Sequence, residues 1–147
     1  MASIESGRTY SLVNAKSGTC MASREEDNAS IVGDDYEPGD DLMHWEAAQA
    51  DSAWTLRNVA TGRYLAISSG RVADGTLVTL ADSPVEWEIY SDEKDSSIYR
   101  VYARGQFSEL NLDLEGYGNP APGTPVRLWS KSDGTHQCWQ FEEAEEF

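Results

Sequence analysis

The segment Thr9–Ala22, TYSLVNAKSGTCMA, aligns without a gap on Ala53–Ala66, AWTLRNVATGRYLA, and this match decides the fold. Leu12, Asn14, Gly18 and Ala22 fall on Leu56, Asn58, Gly62 and Ala66. A third, more diverged copy starts at Ile98 in IYRVYARG, where Tyr99 takes the place of Tyr10 and Trp54. Its later part recovers the pattern, since Asp74–Leu80 (DGTLVTL) matches Pro122–Leu128 (PGTPVRL). Every copy closes on a tryptophan followed by an acid or amide: Trp45-Glu46, Trp87-Glu88 and Trp139-Gln140. The repeats therefore run over about 5–48, 51–90 and 96–142 of one domain spanning 1–147, joined by the polar connectors AAQADSA and SDEKDSS.

Within each copy, short alternating runs such as YSLV, RYLAI, LVTL and VEWEIY predict strands, with Gly, Asn, Asp and Pro at the breaks. LMHWEAAQA alone has helical propensity, and the alignment overrides it because Trp45 occupies the slot of Trp87 in the strand-like VEWEI. A unit of about forty residues cannot bury its apolar face alone, so three such units must close around a common axis. The expected architecture is an all-β, three-repeat β-trefoil. Its three closing tryptophans are expected to lie buried near the pseudo-threefold axis.

Composition narrows the function. At 147 residues the chain is one domain by length and buries roughly two-thirds of its unfolded surface. No apolar run approaches the ~20 residues needed to cross a bilayer, which argues against membrane insertion. Eleven basic against 26 acidic residues give a formal charge of −15, which repels phosphate backbones and excludes nucleic acid as a partner. The N-terminal MASIESGRTYSL lacks a basic region followed by an apolar one, so the expected location is cytoplasmic, with release by a non-classical route as the other option. Two cysteines, Cys20 and Cys138, are too few for a disulfide scaffold; they are either two buried thiols or one bridge.

The third copy carries the chemistry. Leu110–Phe141 reads LNLDLEGYGNPAPGTPVRLWSKSDGTHQCWQF, with Asp113 on one strand, Trp129 on the next, and a Gln-x-Trp ending at Gln137-Cys138-Trp139. Aligning Leu110–Asp113 on Leu65–Ser68 and Met21–Arg24 sets Ser68 and Arg24 opposite Asp113, so only the third repeat has the carboxylate. Trp129 has Ala81 as its second-repeat counterpart, so a shared core does not require the ring. The bland alternatives are an aspartate capping the turn before Glu115-Gly116 and a tryptophan plugging a surface groove.

The order of Asp113, Trp129 and Gln137 resembles one repeat of a ricin B-type lectin, most nearly the fungal group. The resemblance implies a β-trefoil that binds glycans or glycoproteins without catalysis or cofactor. In that family the carboxylate accepts hydrogen bonds from sugar hydroxyls while the aromatic ring covers the apolar pyranose face. Carried over position by position, Arg127 falls where many relatives place a polar residue and His136 where they usually place Asn. A homodimer would add avidity, and defence against feeding animals is the role the resemblance implies. The first repeat offers Tyr36 within Gly33–Asp41 (GDDYEPGDD), but lacks the aspartate and has Met43-His44-Trp45 for the Gln-x-Trp form, so a solvated acidic loop is expected there.

Catalysis and metal binding find no support. His44 and His136 are far apart in sequence, no Gly-x-Ser-x-Gly occurs, and no Asp-x-Asp-x-Asp-Gly frame fits Asp34, Asp35, Asp40 and Asp41. His136 and Cys138, at a spacing of two, are expected on one strand face. The rival class is a β-trefoil protease inhibitor, in which the loop Ala22–Ser30 (ASREEDNAS) meets a serine or cysteine protease. Arg24 would enter a trypsin-like pocket and Asn28 would brace the loop, although Glu25, Glu26 and Asp27 crowd the docking side.

Overall fold

A computed structural model of the chain describes residues 4–24, 30–68, 71–105 and 109–144. Its strands come in groups of four. The first is β1 (Arg8–Asn14), β2 (Cys20–Ser23), β3 (Ile31–Asp34) and β4 (Trp45–Ala50). The second is β5 (Ala53–Asn58), β6 (Tyr64–Ile67), β7 (Val78–Ala81) and β8 (Trp87–Ser91). The third is β9 (Tyr99–Ala103), β10 (Leu110–Leu114), β11 (Thr124–Ser130) and β12 (Trp139–Glu143). The helix-prone LMHWEAAQA is indeed strand from Trp45, preceded by one 3-10 turn, Asp41–Met43.

Following the pairings around the molecule gives a closed ring, β1–β4–β5–β8–β9–β12–β1, all antiparallel. Closure leaves this barrel without an edge strand. The hairpins β2–β3, β6–β7 and β10–β11 cap it, with β3 paired to β11 and a bridge from Leu77 to Arg127 joining the second and third hairpins. The structure is a β-trefoil.

The three closing tryptophans have no exposed surface and join the core formed by Leu12, Leu56, Leu65, Val101, Leu112 and Leu128. A buried indole N–H needs an acceptor. Each finds the same one in its own repeat: Trp45 donates to the Met21 carbonyl at 2.9 Å, Trp87 to Leu65 at 3.0 Å and Trp139 to Leu112 at 3.3 Å. Asn14 and Asn58 hold equivalent posts in the first two repeats. Asn14 donates to the His136 carbonyl at 3.0 Å and Asn58 to the Leu42 carbonyl at 2.9 Å, pinning the chain before Trp139 and Trp45. The glycines aligned in the sequence, Gly18 and Gly62, stand at φ +77° and +72°, where each closes its turn by an N–H bond to that Asn carbonyl.

The shared Trp acceptors fix the register between repeats and correct one sequence alignment. Met21, Leu65 and Leu112 are equivalent, so the counterparts of Asp113 are Ala22 and Ala66, not Arg24 and Ser68. Strand pairing agrees: Ala22 faces Val32, Ala66 faces Thr79 and Asp113 faces Arg127. The link from Ala103 to Asn111 is two residues longer than those from Asn14 to Cys20 and from Asn58 to Tyr64. A two-residue slip keeps every side chain on its own face of a strand, so the apolar pattern could not reveal it. The conclusion drawn from the slot survives, since the third repeat alone places a carboxylate there. Trp129 keeps Ala81 as its counterpart.

Candidate functional site

Strands β10 and β11 alternate faces. Leu110, Leu112, Leu114, Val126 and Leu128 turn into the core, while Asn111, Asp113, Arg127 and Trp129 share the opposite face. On that face Asp113 is the hub. It is only 1% exposed, and three side chains reach it. Arg127 donates from Nε to Oδ1 at 3.3 Å, Gln137 donates from Nε2 to Oδ2 at 2.9 Å, and His136 Nε2 lies 3.2 Å from Oδ2. A carboxylate accepts about four hydrogen bonds, so little of Asp113 is left for an outside partner. The structure thus makes it an anchor beneath the surface, and it caps no turn: the turn Glu115–Gly118 that follows has no side-chain cap.

Two rings flank this hub. The Arg127 guanidinium carbon lies 4.4 Å from the centre of the Trp129 ring, which keeps 36% of its surface exposed. On the other side Tyr117, 82% exposed, meets the His136 ring edge-on with centroids 5.5 Å apart. Outward of Asp113 the side chains therefore run Trp129, Arg127, His136, Tyr117, with His136 itself only 8% exposed between its neighbours. Tyr117 was not among the residues expected from sequence. The signal available was an aromatic between two glycines, Gly116-Tyr117-Gly118, where no strand gives it a core slot. Its backbone stands at φ 56°, a left-handed conformation that a bulky residue seldom adopts.

Gly118 is needed for that turn. It has φ +83°, and a Cβ there would come 2.6 Å from Lys16 Cγ and 3.0 Å from His136 Cβ. Gly118→Ala is expected to lower stability by about 1–2 kcal/mol through the left-handed backbone alone, read by denaturant unfolding. An unchanged midpoint would show that the turn relaxes freely.

Below the surface, Gln137 extends the network inward. Its side chain has no exposed surface, donates also to the Ser130 carbonyl at 3.1 Å, and accepts from Ser132 N at 2.8 Å and Arg100 Nη1 at 3.1 Å. Arg100 donates further to Asn111 Oδ1 at 3.2 Å and to Asp92 Oδ1 at 2.9 Å. All five expected residues, Asp113, Arg127, Trp129, His136 and Gln137, are thus brought together, with Gln137 as support rather than surface.

His136 and Cys138 do not share a strand face. His136 sits in the 3-10 turn Thr135–Gln137, directed to Asp113, whereas the Cys138 sulfur lies 3.8 Å from Asp92 Oδ1. Cys20 and Cys138 are free and buried. Burial is the main force pushing each thiol up to about 11, which leaves both as unreactive thiols at neutral pH.

The other expected places are different in kind. In the first repeat Tyr36 is 45% exposed and its hydroxyl lies 3.4 Å from His44 Nε2. There, Ala22 and Met43 occupy the slots of Asp113 and Gln137, so apolar side chains replace that carboxylate and amide, and the buried polar group is instead His44, 3.1 Å from Asp41 Oδ1. Arg24 is exposed, but its guanidinium packs where a Gly123 Cβ would stand and lines a depression with Ile31, Val32, Leu77 and Pro125. Asn28 lies outside the described residues.

A three-repeat trefoil with this outward cluster belongs to the family of ricin-type β-trefoil lectin domain-like proteins, whose model matches residues 2–81. That match covers the first repeat and the second as far as β7; the cluster lies in the third. Among solved structures, the chain is similar to the ricin B-like lectin of Macrolepiota procera, described in complex with lactose, at 39% identity, with a TM-score of 0.91 over 97% of this chain and 99% of that one. The Rhizoctonia solani agglutinin is 25% identical, with a TM-score of 0.83 over 97% of this chain and 99% of that one. An exo-β-1,3-galactanase of Clostridium thermocellum shares the fold alone, at 21% identity and a TM-score of 0.81 over 97% of this chain but 31% of that one. No curated protein sequence matches the chain.

Proposed function

We propose that the protein is a non-catalytic carbohydrate-binding protein whose glycan site is the Trp129–Arg127–His136–Tyr117 surface over Asp113. The observation that carries this reading is the convergence of two exposed rings and two fixed nitrogen donors on one buried carboxylate, present in one repeat only. A pyranose has an apolar C–H face suited to a ring and a rim of hydroxyls that need directed partners. Because Asp113 is covered, hydroxyls meet Arg127 first and only the exposed edge of His136, and the carboxylate acts chiefly by fixing those two. One face of Trp129 is already taken by the guanidinium, so Tyr117 supplies the second platform. The likeness to a lectin described with lactose makes β-galactosides the first ligands to try.

A glycan array tests the reading. The wild-type chain is expected to bind a defined subset of glycans, and Trp129→Ala to lose them, while trypsin and papain remain uninhibited. Silence on all glycans together with tight, Arg24-dependent trypsin inhibition would replace it with the inhibitor function.

A further inference from the structure

Beside the proposed glycan site lies a groove of about 510 Å³ on the β8–β9 face. That volume is within the range of pockets that hold small molecules, about 300–1,000 Å³. Tyr90 and Tyr102 form its aromatic side, with ring centroids 6.1 Å apart at 52°. Tyr90 is 56% exposed, and its hydroxyl donates to Glu88 Oε1 at 2.8 Å, which sets the ring along the groove. Glu88 and Glu93 supply acceptors and Lys131 donors at the rim, and the buried Arg100 reaches the floor.

This groove lies on the same side of the sheet as Trp129. Glu88 faces Tyr102, Tyr102 faces Asn111 and Asn111 faces Trp129, so the four residues form one row across β8, β9, β10 and β11 on the same side of the sheet. Tyr102 and Trp129 are two strand spacings apart, about 10 Å, farther than two directly linked pyranose rings and close to the separation of a sugar from the next but one in an oligosaccharide. The floors are joined too. Arg100 holds Asn111 and Gln137, and Gln137 holds Asp113.

The shared barrel does not explain the rings. Counting from the equivalent tryptophans, Tyr90 corresponds to Ala48 and Glu142, and by strand pairing Tyr102 corresponds to Val13 and Arg57. We propose that the Tyr90–Tyr102 groove is a second saccharide subsite, taking an uncharged sugar two places along a glycan whose terminal residue sits at Trp129. This rests on the glycan-binding reading above. An uncharged residue is specified because Glu88 and Glu93 outnumber Lys131 at the rim, Arg100 is matched by Asp92, and the chain carries a charge of −15.

The test is an array of glycans of one to four sugars sharing a terminal residue, read with wild type, Tyr90→Ala, Tyr90→Phe and Trp129→Ala. Tyr90→Ala is expected to weaken binding of the longer glycans about ten-fold, the size of one lost ring contact, with little change for the monosaccharide. Tyr90→Phe keeps most of the gain with length, and Trp129→Ala loses all lengths alike. Tyr90→Ala matching wild type on long glycans, or weakening every length equally, overturns the subsite alone. A wild type silent on every glycan overturns the glycan site and the subsite together. Unchanged melting of Tyr90→Ala, expected for so exposed a ring, separates these outcomes from misfolding.

Discussion

Asp113→Ala is expected to abolish glycan binding and leave the trefoil folded. The substitution writes into the third repeat the residue that the first two already carry, Ala22 and Ala66, so backbone and core accept it. What it removes is the acceptor for Arg127, His136 and Gln137. Hydrogen bonds to a charged group are worth about 1.5–3 kcal/mol each, but the loss to stability is smaller than their sum. Arg127, with 24% of its side chain exposed, regains water, and Gln137 keeps Ser130 and Arg100. A fall of about 1–3 kcal/mol in unfolding free energy is therefore expected, with the array signal gone because the two donors proposed to meet the sugar are no longer held. Asp113→Asn sharpens the test. It preserves shape but sets an NH2 group against some of the same donors, so it too should lose binding. Wild-type glycan binding by Asp113→Ala would remove the carboxylate from the site.

The two halves of this site were unequally legible in the sequence. The fold was written in the gapless match of the first two repeats and in three tryptophans, since identical burial demands identical residues. The chemistry-bearing residues were legible because each breaks that symmetry: Asp113 stands opposite two alanines and Trp129 opposite Ala81. What sequence could not carry was depth. Period-two alternation says that Asp113 is on the outer face of β10, and not that Arg127, His136 and Gln137 close over it there. Nor could alternation detect the two-residue insertion before β10. Tyr117 was hidden for another reason, because it depends on a left-handed turn between two glycines rather than on any strand pattern. His136 was misplaced on a strand because a single 3-10 turn has no periodicity to read.

Arg100→Ala is expected to cost about 3–5 kcal/mol at pH 7, since it leaves a buried charge without its partner. The pair is deep: the Arg100 side chain is 5% exposed and that of Asp92 11%. Arg100 is also the donor that fixes Asn111 and the Gln137 carbonyl oxygen, so the loss passes directly into the floor of the proposed glycan site. The pH dependence separates the ionic part from the rest. Burial alone raises the Asp92 carboxyl, but the Arg100 hydrogen bond, the Lys94 amide, the Arg100 charge and the Asp95 amide outweigh it and hold it below the ordinary value. A depressed carboxyl stabilises the fold above its unfolded pKa, about 3.9, and that contribution is lost as pH falls through the folded value. Removing Arg100 leaves burial less opposed, so the Asp92 carboxyl moves up in the variant. The difference between wild type and Arg100→Ala should thus be largest at neutral pH and shrink as pH falls, starting where the variant protonates Asp92 and ending only below the depressed folded value at which the wild type does. Denaturant unfolding of the two at pH 7 and pH 3 reads this directly, because the many other carboxylates are common to both and cancel. An equal difference at the two pH values would mean that Arg100 stabilises through its neutral hydrogen bonds and packing, with Asp92 no more than a neighbour.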